Sequence, residues 1–352
     1  MEFPVLHIAP IDDNARSAAL IRQNQLTKPT GALGLLEATA VQLAGILRSE
    51  QPQINAPAAL IFAADHPVTQ HGVSAYPAEV TAAMVSNFAR GGAAASVLAR
   101  LHSASLHIID VGVLHATQPW PGTAVSLHRE AVADDACGDI ANSDAMTAAT
   151  FGRAFAAGVA AVNRLPADCN LVALGEMGIG NTTCAAAVTA ALLKLTAANV
   201  TGAGTGVGGD VLARKIAVVQ HAANRATGLP PAEILRICGG RELVAIAGAA
   251  LRAAATGRAV LVDGFIVTAA IACAVQAVPA LRPYLLFAHR SAERGHAALL
   301  HALHAVPLID LELRLGECSG ALLALPLIQA ACGLHNQMAT FADAAVPDRS
   351  PV

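Results

Sequence analysis

A chain of 352 residues that is 55% hydrophobic and 13% charged can fill a sizeable core, as one large domain or as a large and a small one. Its net charge of −3, with no basic block, argues against nucleic acid or an anionic membrane surface as the main partner. Seven cysteines scattered singly, with no C-x-x-C pair, argue against a disulfide framework or a zinc cage and suit buried thiols in a reducing compartment. Aromatics make up only 3%, so Ala, Val, Leu and Ile must build the core, as in Ala-faced helices packed closely on a sheet. The opening MEFPVLHIAPIDD has neither a basic nor a long apolar region, so no signal peptide is expected. The apolar stretch 259–281 is interrupted by Asp263, Gly264, Gln276 and Pro279 and reads as strand, turn and buried helix, not as a membrane span. A cytoplasmic protein with no membrane partner is expected.

In chain order, residues 12 to 48 form two helical pieces. Asp12 and Asp13 can cap the first, which turns Ala18, Ile21 and Leu26 toward a core; T-K-P-T-G (27–31) breaks it, and the pattern resumes over 33–47. From residue 57 short apolar runs alternate with helical stretches. Strands are predicted at 58–63, 106–111, 171–174, 259–262 and 284–288. A βα series of this kind gives a mostly parallel sheet covered on both faces. Five or six strands fall short of the eight of a TIM barrel. Asp65-His66, Asp110, Glu176, Asp263 and His289-Arg290 each end or follow one of these strands, at the carboxyl edge where open α/β sheets bind ligands.

The stretch 170–187, NLVALGEMGIGNTTCAAA, carries the sharpest signal. An apolar run turns through Gly175, Gly178 and Gly180 and enters an Ala-rich helix behind Asn181, Thr182 and Thr183. Glycines permit close backbone approach, and a helix N-terminus suits a phosphate. Glu176, in the same turn, suggests a substrate bearing both a phosphate and a developing positive charge. The plain alternative is an ordinary strand-to-helix connection with a capping side chain.

Other motifs are weaker. Gly204-x-Gly206-x-x-Gly209 matches a dinucleotide fingerprint in letters but follows a helical stretch, not a strand. Lys215, on the helix beyond, is either a second anion contact or a solvated helix-face lysine. Asp65-His66 with His71 lacks the spacing of a metal site, and no metal or cofactor is expected. His296, His301 and His304 scatter as surface residues do, and Asp134-Asp135 lacks the context of a pyrophosphate-ribose loop. Val80, Met84 and Phe88 lie at i, i+4 and i+8. Val80 reads as core, while Met84 and Phe88 suit either core or the wall of a flat aromatic pocket. Glu317, in LRLGECSG ahead of an apolar helix, is either a desolvated base of raised pKa or a helix-start acid of lowered pKa.

Together TKPTGALGLLE, AADH with GVSAYPAEVTAAMVSNFARGGAA, DVGV, GEMGIGNTT, LARK, VLVDGFI, HRSAE with GH, and LRLGE before SGALLALPL resemble the nicotinate-nucleotide–dimethylbenzimidazole phosphoribosyltransferases of cobalamin biosynthesis, from residue 27 to about 330. The resemblance implies an α/β fold with a Rossmann-like, mostly parallel sheet and helices on both faces. It also implies a small helical domain made from both chain ends, with segments 1–50, 51–315 and 316–352, and a homodimer. It implies transfer of phosphoribose from nicotinate mononucleotide to a benzimidazole, giving α-ribazole 5'-phosphate and nicotinate. By position in the motifs, Glu317 and Glu176 would be catalytic; Gly178, Gly180, Asn181, Thr182, Lys215 and Ser291 would hold the nucleotide; and Met84, Phe88 and Leu315 would form the base pocket. The chain departs from the family at Pro67, Arg294, Cys318 and Gly208-Gly209. Cys318, where glycine is usual, and Gly208-Gly209, where acidic residues are usual, raise a second reading, a nucleotide-binding sensor without catalysis; a third is an NAD-dependent dehydrogenase using the 204–209 glycines.

Overall fold

The computed structural model describes residues 1–114, 125–204 and 206–347. Thr205 of the glycine motif and the last five residues of segment 316–352 lie outside them. Six strands are described: β1 (Ala58–Ala64), β2 (Ser105–Gly112), β3 (Val125–Arg129), β4 (Leu171–Met177), β5 (Ala259–Val262) and β6 (Leu285–Phe287). All pair in parallel, in the order β3-β2-β1-β4-β5-β6. The chain builds outward from β1 to β3, returns to the other side of β1 at β4, and builds outward again. The order therefore reverses between β1 and β4, which opens a crevice at their carboxyl ends. Every residue of β1, β4, β5 and β6 is buried, as expected of parallel strands covered on both faces.

Four of the predicted strands differ from the structure only at their ends. β4 runs three residues past Leu174, so Glu176 lies in the strand and not in the turn. β6 is shorter than predicted because Tyr284 belongs to the preceding 3-10 turn, Pro279–Tyr284. β3 is an addition to the predicted set: it is a sheet edge, and of its sequence VSLHR only Val125 is buried.

The helices are α1 (Asp13–Gln25), α2 (Leu35–Leu47), α3 (Val80–Arg90), α4 (Ala94–Leu101), α5 (Ala148–Asn163), α6 (Asn181–Leu193), α7 (Ala197–Val200), α8 (Gly209–Ala226), α9 (Pro231–Cys238), α10 (Arg241–Ala255), α11 (Phe265–Ala277), α12 (His296–Ala302) and α13 (Ser319–Gln337). The small residues are used for close packing. A Cβ on Gly158 of α5 would lie 1.9 Å from the Ala245 carbonyl of α10, and one on Gly248 of α10 would lie 2.4 Å from the Phe155 carbonyl of α5. The stretch 259–281 folds as β5, α11 and the start of the 3-10 turn, and no helix among the described residues is long and apolar enough to cross a membrane.

The two chain ends meet. Asp12 caps α1, accepting from the Asn14 and Ala15 amides. Arg22 donates to the His335 carbonyl at 2.7 Å and to the Asn336 carbonyl at 3.0 Å, binding α1 to the end of α13. Lys28 pairs with Glu37 at 2.8 Å, closing the TKPTGALGLLE turn between α1 and α2.

Candidate active site

A cavity of about 560 Å³ opens at the carboxyl edge of β4, β5 and β6. One side is the β4–α6 turn. Gly180, at φ +98°, is the backbone residue from which α6 begins, and Gly178, Asn181 and Thr182 line the cavity while Gly180 does not. Lys215 is not a solvated helix-face residue: it is 1% exposed and donates from Nζ to the Thr182 hydroxyl at 2.9 Å. Burial lowers its pKa, opposed by the charge of Glu293. Gly204 makes room for this contact, since a Cβ there would lie 2.7 Å from Lys215 Nζ and 2.8 Å from Thr182 Oγ1. A helix N-terminus backed by a buried ammonium is an anion seat.

The same cavity is also acidic. Glu176, Asp263 and Glu317 all line the cavity. Glu176 accepts from the Asn181 side-chain amide. Burial, reinforced by the charge of Asp263 and against that bond, pushes its pKa up to about 8. Burial and Asp263 likewise push Glu317 up to about 7. Of the two opposite shifts the sequence allowed for Glu317, the structure selects the raised one: burial is its main cause, and Glu317 does not cap the helix that follows. Asp263, from the end of β5, does so instead: its Oδ1 accepts from the Ala321 amide at 2.8 Å in the first turn of α13. Burial raises the pKa of Asp263, opposed by the nearby His289. A carboxylate close to neutrality can take a proton at physiological pH, and neighbouring carboxylates stabilise positive charge that develops at an anomeric carbon.

The apolar wall comes from Tyr76, Val80, Met84 and Leu315. One expectation is corrected here and one extended. Phe88 is fully buried and does not reach the cavity, whereas Val80 packs against the core as expected but also lines the cavity. The stripe on α3 runs from the cavity into the core, so its far end is sealed.

The carboxyl-edge residues divide. Glu176, Asp263 and His289 reach the cavity, joined by Ser291, Glu293 and Arg314, of which the last two lie outside the sequence candidates. Glu293 follows β6 and fits the same carboxyl-edge rule. Asp110 instead holds its own turn, accepting from the Gly112 and Val113 amides and pairing with Arg129. Asp65 accepts from the Leu114 amide at 2.8 Å. His66 packs behind Gly178 and lies 2.9 Å from Glu242. Burial opposes its protonation, but the Glu242 carboxylate together with the Cys184 sulfur raises its pKa well above the usual value. His71 pairs with Asp139, and no group of three metal-ligating side chains occurs among the described residues.

His301 and His304 are exposed, but His296 is not, contrary to the surface reading. Its Nδ1 accepts from the Ser291 amide at 2.8 Å and its Nε2 meets the Thr268 hydroxyl at 3.0 Å. Burial pushes its pKa down to about 3, so it stays neutral and fixes the turn that presents Ser291. α7, not a strand, precedes Gly204. Two departures from the family pattern have local explanations. Pro67 opens the 3-10 turn Pro67–His71, where no N–H is needed, and Arg294 donates to the Ala198 carbonyl at 2.9 Å.

An anion seat and carboxyls of raised pKa lining one cavity, at the carboxyl edge of a parallel sheet of this order, suit an enzyme of group transfer on phosphorylated substrates. A family model described as "Phosphoribosyltransferase" matches residues 8–346. The nicotinate-nucleotide–dimethylbenzimidazole phosphoribosyltransferase of Xanthomonas oryzae pv. oryzae is 49% identical over 339 residues, 96% of each chain. The protein of the same name from a Bradyrhizobium strain is 49% identical over 338 residues, 95% of each. The crystal structure of the Thermus thermophilus protein of that name superposes with a TM-score of 0.89 at 42% identity, covering 96% of this chain and all of the other. The chain belongs to the nicotinate-nucleotide–dimethylbenzimidazole phosphoribosyltransferase family and is a pentosyltransferase.

Proposed function

We propose that this enzyme transfers the phosphoribosyl group of nicotinate mononucleotide to 5,6-dimethylbenzimidazole or a related base, yielding α-ribazole 5'-phosphate and nicotinate for the nucleotide loop of cobalamin. The observation that carries the reading is Glu317, a buried carboxyl pushed up to about 7, lining the same cavity as the anion seat at the start of α6. In this reading the phosphate rests on the start of α6, at Gly178, Asn181 and Thr182 with Lys215 behind and Ser291 opposite. Gly180 shapes the turn. Met84 and Leu315, with Tyr76 and Val80, hold the flat base. Glu317 removes the proton from the attacking benzimidazole. The other nitrogen attacks the anomeric carbon as the bond to nicotinate breaks, and the departing pyridinium becomes neutral by taking the bonding electron pair. Asp263, with Glu176 in its ionised form, stabilises the oxocarbenium character between the two events. A homodimer in the cytoplasm completes the reading.

The test incubates the protein with nicotinate mononucleotide and dimethylbenzimidazole and follows nicotinate by chromatography, beside Glu317→Gln. Base-dependent release that falls by two or more orders of magnitude in the variant is expected. Nucleotide bound without release, with any benzimidazole or purine offered, would replace the transferase by the sensor. Light scattering on the same sample reads the oligomeric state.

A further inference from the structure

The cavity wall carries the carboxylates of Glu176, Asp263, Glu293 and Glu317 and, among the described residues, one guanidinium, that of Arg314. A phosphomonoester entering there meets four acidic side chains, and on the cavity wall Arg314 is, among the described residues, its one cationic partner, with the buried Lys215 behind. Lys215 alone is a weak counterweight, because burial already disfavours its charged form. A guanidinium keeps its charge in any protein environment and offers a planar fork that fits phosphate oxygens.

Arg314 stands at this seat. Its Nη1 donates to the Gly204 carbonyl at 3.3 Å, and Gly204 is the residue whose Cα faces Lys215 Nζ and Thr182 Oγ1. The side chain is exposed and forms no ion pair among the described residues, so most of its donors are unused.

Arg314 also shares a short arch with Glu317. The arch is pinned on one side where the Ala292 amide donates to the Leu313 carbonyl at 2.9 Å, and on the other where Asp263 accepts from the Ala321 amide. Between these pins the backbone takes positive φ at Gly316 (+81°), Glu317 (+62°) and Cys318 (+63°). Left-handed backbone at two consecutive non-glycine residues is held by its surroundings, not by its own preference. Arg314 and Glu317, three residues apart, thus share one constrained loop.

We propose that Arg314 is the second cation of the donor's phosphate seat, and that its engagement by a phosphomonoester sets Glu317 against the acceptor. The proposal rests on the reading of the donor as a ribonucleotide. It is tested with nicotinate mononucleotide and nicotinate riboside as alternative donors, with and without inorganic phosphite, for the unaltered enzyme, Arg314→Ala and Arg314→Lys. The Ala variant should lose at least ten times more kcat/KM for the mononucleotide than for the riboside, with Lys recovering only part of the loss. Phosphite should accelerate riboside turnover tenfold or more in the unaltered enzyme and less than twofold in the Ala variant. Equal losses on both donors, or equal phosphite activation, would reduce Arg314 to a tie between two loops and overturn the proposal. If the riboside is too slow to follow, or the unaltered enzyme releases no nicotinate at all, equilibrium binding of the mononucleotide decides. A tenfold weakening in the Ala variant supports the seat, unchanged binding overturns it, and failed release counts against the transferase reading alone.

Discussion

Gly175 of β4 and Cys318 at the head of α13 are packed so closely that a Cβ on the glycine would lie 2.4 Å from the Cys318 Cβ. It would also lie 2.7 Å from the Cys318 amide nitrogen and 2.8 Å from its Cα. The strand that carries Glu176 and the loop that carries Glu317 are thus in direct backbone contact, which sets the two carboxyls on one wall. Gly175→Ala should displace the loop and lower kcat by about a hundredfold or more, since ångström-scale misplacement of a reacting group costs on that order. Adding Cys318→Gly should not restore activity, because backbone atoms are themselves in the way. Steady-state kinetics of the single and double variants checks this, and recovery in the double variant would show that only the side chains collide.

Cys318 adopts φ +63° and is fully buried. Glycine there removes the left-handed penalty of roughly 1 kcal/mol but also empties the space of a small buried thiol, a loss of about the same size. Alanine empties most of that space and keeps the penalty. Cys318→Ala should therefore be the less stable of the two variants, and Cys318→Gly should lie within about 1 kcal/mol of the parent. Urea denaturation gives the order directly. An alanine variant as stable as the glycine variant would mean that the backbone is not strained.

Much of this architecture could be read from the chain because burial on both faces leaves a plain mark. Runs such as AALIFAA in β1 have no polar alternation to confuse them, whereas edge strand β3 has a single buried residue and leaves no such mark. Glu176 reads as a turn residue because Gly175 interrupts the apolar run, although the strand continues to Met177. The carboxyl-edge rule locates Glu176, Asp263 and His289 but cannot separate them from Asp110, whose oxygens are consumed by its own turn and by Arg129. Spacing on α3 identifies one stripe but not the point along it where cavity gives way to core. The sign of the Glu317 shift comes from burial, reinforced by the charge of Asp263, 54 residues away in sequence, and neither can be read from the local motif.

The pH dependence of turnover follows from Glu317. With its carboxyl near 7 and acting as a base, kcat/KM should fall about tenfold per pH unit below 7 and level off above it. Glu176 titrates close by, so the limb reports the acidic group as a whole. Asp263 is the second cause of the raised Glu317 pKa, after burial. Asp263→Asn removes that charge while its amide oxygen can still accept from the Ala321 amide. The ascending limb should then move to lower pH. A limb that stays in place would assign the raised pKa to burial alone.

Glu176 makes the fold itself sensitive to pH. Its carboxyl lies at about 8 in the folded protein, against an ordinary value of 4.5. The folded state therefore holds a proton that the unfolded chain releases, and stability contributed by the neutral form is lost as pH rises from about 4.5 through 8. Each pH unit crossed between those two values removes about 1.4 kcal/mol, so the loss above pH 8 amounts to a few kcal/mol. Glu176→Gln keeps an oxygen for the Asn181 amide and abolishes the titration. The variant should melt higher than the parent at pH 8 to 9, with the gap closing toward pH 5, while its turnover above pH 8 falls because the transition state has lost a carboxylate. Thermal melts of both proteins across this range measure the difference, and parallel curves would show that Glu176 is ionised in the fold at neutral pH.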